Sequence, residues 1–120
     1  MAPMAATLVN DEIIDNVIAY IGTLPDTPAP VTVDGDIAHG AKLYALCANC
    51  HGADGQGIAM NAPRQAGIND WYLVNQLKNF KQGLRGHHPK DLHGKQMRFM
   101  AQTLQDDQAM RDVVAYINTL

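Results

Sequence analysis

Both cysteines of the chain fall within five residues, Cys47-Ala48-Asn49-Cys50-His51. A disulfide across so short a span would be strained and would leave His51 without a task. A structural zinc site would want two further ligands at short spacing, and His39, His87, His88 and His93 form no second paired motif of that type. A thioredoxin-like redox pair would want a strand before the motif, and here a helix is predicted. Cys-x-x-Cys-His instead suits covalent attachment of a c-type haem. Two thiols three positions apart add across the two vinyl groups, and the adjacent imidazole is carried under the ring to ligate iron. A chain with this motif is expected to fold around a large planar group.

The rest of the composition narrows what surrounds that group. At 120 residues, 47% hydrophobic and 18% charged, the chain makes one domain, or one domain plus a fragment. Asp11, Glu12 and Asp15 interrupt the first apolar stretch, so no direct membrane span is expected. The opening Met-Ala-Pro-Met-Ala-Ala-Thr lacks the basic region and apolar run of a signal peptide, so an export signal is expected to be removed or to lie outside this sequence. Residues 1–35 hold five acids and no Lys or Arg, whereas residues 36–120 hold seven acids and all nine bases. The resulting balance of +2 in the second part, with no aromatic residues interleaved in a basic run, argues against nucleic acid and for protein docking.

The charge boundary coincides with an internal repeat. Residues 1–24 align without a gap to residues 97–120 with twelve identities, from Met1, Met4 and Ala5 against Met97, Met100 and Ala101 to Thr23 and Leu24 against Thr119 and Leu120. The chain is therefore read as residues 1–24, the remnant last helix of a preceding unit; residues 25–35, an extended proline-rich linker around Pro25, Pro28 and Pro30; and residues 36–120, a whole second unit.

Within the second unit, Asp36 caps a helix to about Cys47, with Ile37, Gly40, Ala41, Tyr44 and Cys47 near one face. A glycine-rich loop over residues 52–67 is too long for a simple connection and is expected to wrap something. Asn69 or Asp70 opens a helix to about Gln82, with Trp71, Val74, Leu77 and Phe80 turned wholly or partly inward and Gly83 as its stop. A second loop is expected over residues 84–96, and a last helix from Asp106 or Asp107 carries Met110, Val113, Val114, Tyr116 and Ile117. The fold class is all-α: three to four main helices around a covalent haem, with an extra N-terminal helix.

With these residues in place, the second unit resembles the class I cytochromes c, and more closely one unit of a tandem, diheme cytochrome c or of an oxidase-fused cytochrome c domain. The resemblance rests on Gly40, Tyr44, Cys47, Cys50, His51 and Gly52 in the first helix and attachment site, on Asp54, Gly55, Gly57 and Pro63 in the following loop, and on Tyr116 in the last helix. It implies thioether bonds at Cys47 and Cys50, His51 as proximal ligand with Pro63 accepting a hydrogen bond from its other nitrogen, and a crossing of first and last helices at Gly40. The tandem family's spacing from Leu104 implies Met97 as the sixth ligand, with Met100 the neighbouring alternative. His93 is a bis-His option, and Met60 is expected to line the pocket or pack. Trp71, Tyr72 and Gln76 stand where family members line the ring or reach a propionate, and Arg64, Arg85 and Arg98 are candidate propionate partners.

The resemblance implies one haem c and a one-electron carrier in a bacterial respiratory chain, either alone or as the relay of a larger oxidoreductase, with no catalysis of its own. A peroxidase or small-ligand site is the alternative, and it would need an open distal position. Because thioether attachment follows export, a periplasmic location is expected. Lys78, Lys81, Arg85, Lys90, Lys95 and Arg98 give the methionine side a positive balance suited to transient docking on an acidic redox partner, although a solvated face is the plainer alternative. The mimicry of 97–120 by 1–24 also predicts exchange between copies and a domain-swapped dimer.

Overall fold

The computed structural model describes residues 2–25, 27, 29–57 and 61–120. The described residues form six helices: α1 (Ala2–Ala5), α2 (Asp11–Gly22), α3 (Ile37–His51), α4 (Asp70–Lys81), α5 (Leu92–Ala101) and α6 (Asp107–Ile117). Four of them begin where a short polar side chain accepts from the third helical N–H. Asn10 serves Ile13, Asp36 serves His39, Asp91 serves Gly94 and Asp106 serves Ala109, at 2.8–3.0 Å. Each such cap is worth about 1 kcal/mol. Asn69 makes no such bond at the start of α4, where Asp70 accepts from the N–H of Trp71 instead.

The core lies between α3 and α6, with α4 packed on α5 and α6. Tyr44 from α3 meets Met110, Val113, Val114 and Ile117 from α6, all buried, with Val74 and Leu77 of α4 and Leu104 completing the cluster. Full burial of each such aliphatic side chain contributes about 1.5–3 kcal/mol. The close crossing depends on Gly40, where an added Cβ would lie 2.0 Å from the Asp112 carbonyl oxygen. The Tyr44 and Tyr116 rings pack beside that crossing at 5.3 Å between centroids. Asp112 pins the same corner, because its carboxylate accepts from the Asp36 N–H and from Gln108 and pairs with His39 Nδ1 at 2.7 Å.

Several expectations change. The first helix does not stop near Cys47 but runs to His51, so the whole Cys-x-x-Cys-His motif is helical. The stretch expected as loop over 84–96 forms the start of α5 from Leu92, and Met97 sits inside that helix. Ile37 is exposed rather than on the inner face. The N-terminal addition comprises two helical pieces, and α2 buries none of its residues. The linker's second half is held in place: Asp70, buried, accepts from the N–H and hydroxyl of Thr32 and from the N–H of Val33. Burial raises the Asp70 pKa, but these bonds and that from Trp71 outweigh it and bring the carboxyl down to about 2. The expectations for Met1 and Met60 lie outside the described residues.

Candidate functional site

Helix α3 delivers Cys47, Cys50 and His51 to one wall of a cavity of about 500 Å³, within the usual range for a bound organic group. His51 is only 7% exposed. Its Nδ1 lies 2.9 Å from the carbonyl oxygen of Pro63. A carbonyl only accepts, so Nδ1 carries the proton and Nε2 keeps the lone pair that a metal would take. The loop is folded to make that contact. Gly57 donates to the His51 carbonyl at 2.7 Å, and its φ of +78° lets the chain turn where a Cβ would meet the Ala62 carbonyl at 2.3 Å.

Tyr44 secures the other end of the turn by donating its hydroxyl to the Gly52 carbonyl at 2.8 Å. Burial, with the nearby Cys47, Tyr116 and Asp54 adding to it, pushes this phenol up to about 12, so it stays a donor through mildly alkaline conditions. Burial likewise raises the Cys47 thiol, and the neighbouring Cys50 adds to the effect against an opposing backbone hydrogen bond.

Helix α5 supplies the facing wall with Met97 and Met100, both half-buried, and Leu77, Val113 and Ile117 line the apolar interior. Tyr72 and Gln76 reach the cavity as expected. Arg85 donates to Gln76 Oε1 at 2.6 Å with its guanidinium 4.6 Å from the Phe80 ring centre, and Arg64 donates to the Ala66 carbonyl. Trp71 is not brought into the site: it is 53% exposed, edge-on against Tyr72 and off the cavity wall. Helical spacing leaves it within reach of either side of α4, and the packed neighbours turn it outward. Arg98 also lies elsewhere, beside Gly83 on the outer face of α5. Leu46, Asn61 and Ile68 are among the lining residues the sequence did not announce, because two of them come from a loop with no periodicity to read. His93 lines the cavity too.

An apolar cavity with paired thiols and an imidazole on one wall and thioethers on the facing helix fits a c-type haem, which Cys47 and Cys50 would hold covalently and to whose iron His51 and a methionine would donate. Residues 37–120 match the family model described as Cytochrome c. The chain belongs to the cytochrome c family. Cytochrome c-554(548) of Halomonas halodenitrificans is 35% identical over 85 residues, covering 71% of this chain and 96% of that protein. Cytochrome c4 of Azotobacter vinelandii is 34% identical over 87 residues, covering 71% of this chain but only 41% of its own length, so the chain spans less than half of that relative. A solved structure of Acidithiobacillus ferrooxidans cytochrome c4 superposes with a TM-score of 0.73 at 27% identity, covering 100% of this chain and 70% of that one. Both the cytochrome c fold and the likeness to a cytochrome c4 unit are thereby established. Membership makes this an electron-transfer domain that works through a c-type haem and does not itself transform a substrate. No helix among the described residues is long and apolar enough to cross a membrane.

Proposed function

We propose that residues 36–120 hold one haem c through Cys47 and Cys50, with His51 and Met97 as axial ligands, and pass single electrons in a bacterial respiratory chain. The buried His51, its Nδ1 committed to Pro63 in a cavity faced by the α5 methionines, is the observation that carries this reading. Haem supplies the one-electron chemistry; the chain supplies burial, a fixed imidazole tautomer and exclusion of water. Met97 is preferred to Met100 on the family spacing, and it also packs against the core cluster. Tyr72 and Gln76, with Arg85 bonded to Gln76, suit the polar edge of the ring.

Residues 1–24 are read as the last helix of a further unit, supported by a cytochrome c4 structure that covers all of this chain and extends beyond it. In this chain its apolar face seeks a second copy, which gives the swapped dimer. Docking to an acidic redox partner is assigned to the outer face of α5, where Lys95, Arg98 and His87 surround exposed Phe99. Lys78 and Lys81 contribute less, being drawn to Asp107 and to the carbonyls of Leu104 and Gln105. A periplasmic location is the reading that thioether attachment after export supports.

The visible spectrum of the haem-loaded protein tests the ligand set. A weak far-red band in the ferric state, abolished by Met97→Ala and kept by Met100→Ala, is expected. A high-spin ferric spectrum in the unaltered protein would overturn the reading and favour a small-ligand site.

A further inference from the structure

Helix α5 presents more than methionines to the cavity. His93, Met97 and Met100 stand at i, i+4 and i+7, the spacing that shares one face of a helix, and all three line the cavity that holds His51. His93 sits where α5 meets the wrapping loop, its Nε2 3.3 Å from Asn61 Nδ2. An amide nitrogen can only donate, so Nε2 is the acceptor and the ring proton is on Nδ1. His93 is therefore held in the tautomer that leaves Nε2 free of its proton, the same one that Pro63 imposes on His51.

We propose that His93 is a reserve iron ligand, which takes the sixth position when the Met97 thioether is not there to hold it. This rests on the His51 and Met97 ligation proposed above. Four residues along a helix amount to about 6 Å of rise, so the exchange needs the first turn of α5 to unwind and swing inward. That turn lies at the surface, but its Gly94 carbonyl backs onto buried Gly86 and Lys95 Nζ donates to the Pro89 carbonyl, contacts that the exchange has to break. Leu92 is 70% exposed, and the cap bond from Gly94 to Asp91 lies at the surface. The residues that anchor the rest of the helix, Met97 and Ala101, come later. Imidazole is also the ligand that suits ferric iron, whereas a thioether raises the potential by favouring the ferrous state. The consequence is a site that stays six-coordinate, and closed to small ligands, after damage to its methionine.

Four haem-loaded proteins in mildly alkaline buffer decide the matter: unaltered, His93→Gln, Met97→Ala, and Met97→Ala with His93→Gln. Their ferric spectra and the binding of carbon monoxide to the reduced forms are the readouts. His93→Gln alone is expected to keep the far-red band. Met97→Ala is expected to lose the band yet stay low-spin and resist carbon monoxide, and the double variant to become high-spin and bind it at once. The proposal is overturned if Met97→Ala is high-spin, if it retains the band through Met100, or if adding His93→Gln leaves it low-spin. Absence of the band from the unaltered protein would overturn the His51 and Met97 ligation itself, which separates the two failures.

Discussion

Replacing Gly40 with alanine puts the smallest possible load on the crossing of α3 and α6. The new Cβ would lie 2.0 Å from the carbonyl oxygen of Asp112, 2.6 Å from its carbon and 3.0 Å from Tyr116 Cβ. A main-chain carbonyl cannot rotate away as a side chain can, so the two helices must part by about an ångström to reach even a tight contact. They would part where Tyr44, Val113 and Val114 have no more than 1% of their surface exposed. A gap of that size loses about a quarter to a half of each dispersion contact across it, and overpacking of this kind costs about 1–3 kcal/mol. Alanine's better helix propensity offsets up to about 1 kcal/mol. The expected net loss is about 1 kcal/mol, roughly fivefold in the folding equilibrium. For a unit of this size it lowers the melting temperature by about 4–8 °C. Urea unfolding of the haem-loaded protein, followed by circular dichroism, measures it. Gly22→Ala is the control, since a Cβ there meets nothing within 4 Å, and it should leave the midpoint of the haem unit unchanged. A loss below about 0.5 kcal/mol for Gly40→Ala would refute the close crossing.

Other perturbations follow from the same contacts. Asp70→Asn removes the charged acceptor that holds Thr32 and Val33, and should cost about 1–3 kcal/mol near neutral pH in chemical unfolding. Because the folded Asp70 carboxyl titrates at about 2, below the ordinary value of about 3.9, its contribution is complete above that ordinary value and fades as the pH falls toward 2. The unaltered protein should therefore lose stability across that window more steeply than the variant, and parallel acid titrations would contradict the assignment. Tyr44→Phe leaves the Gly52 carbonyl without its donor and should cost about 1–2 kcal/mol by the same assay. Removing residues 1–24 should leave the unfolding free energy within about 0.5 kcal/mol, because α2 buries nothing, and should abolish dimers seen by size-exclusion chromatography at high concentration.

Much of the site was legible because its chemistry is local. Cys47, Cys50 and His51 are contiguous, and the distance from His51 to Pro63 is short enough for the family resemblance to name the partner carbonyl. The limits of α5 were not legible. Residues 84–96 contain Pro89, two glycines and a cluster of histidines, a composition that reads as loop, and only the Asp91 cap and the packing of Met97 and Ala101 draw a helix from Leu92 onward. The outward turn of Trp71 was hidden for a related reason, since helical spacing places it within reach of either side of α4 and only the packed neighbours choose. Asp70 as the anchor of the linker could not be read at all, because its partners are 37 and 38 residues away.

The repeat separates what sequence decides from what tertiary structure decides. The two copies fold alike locally. Asn10 caps Ile13 as Asp106 caps Ala109, and α2 and α6 begin at equivalent positions. Thr7 donates to the Met4 carbonyl as Thr103 does to Met100, and Thr23 to Tyr20 as Thr119 does to Tyr116. These bonds span three residues, so the sequence carries both partners. Burial differs completely: Val17 is 38% and Ile21 57% exposed, whereas their counterparts Val113 and Ile117 are 1% and 4%. The same helix has an amphipathic face in both places, and only the second finds α3 and Gly40 to close on. Sequence writes the helix, its caps and its apolar stripe because those depend on near neighbours. Whether the stripe becomes core is decided by a surface that the rest of the chain must bring to it.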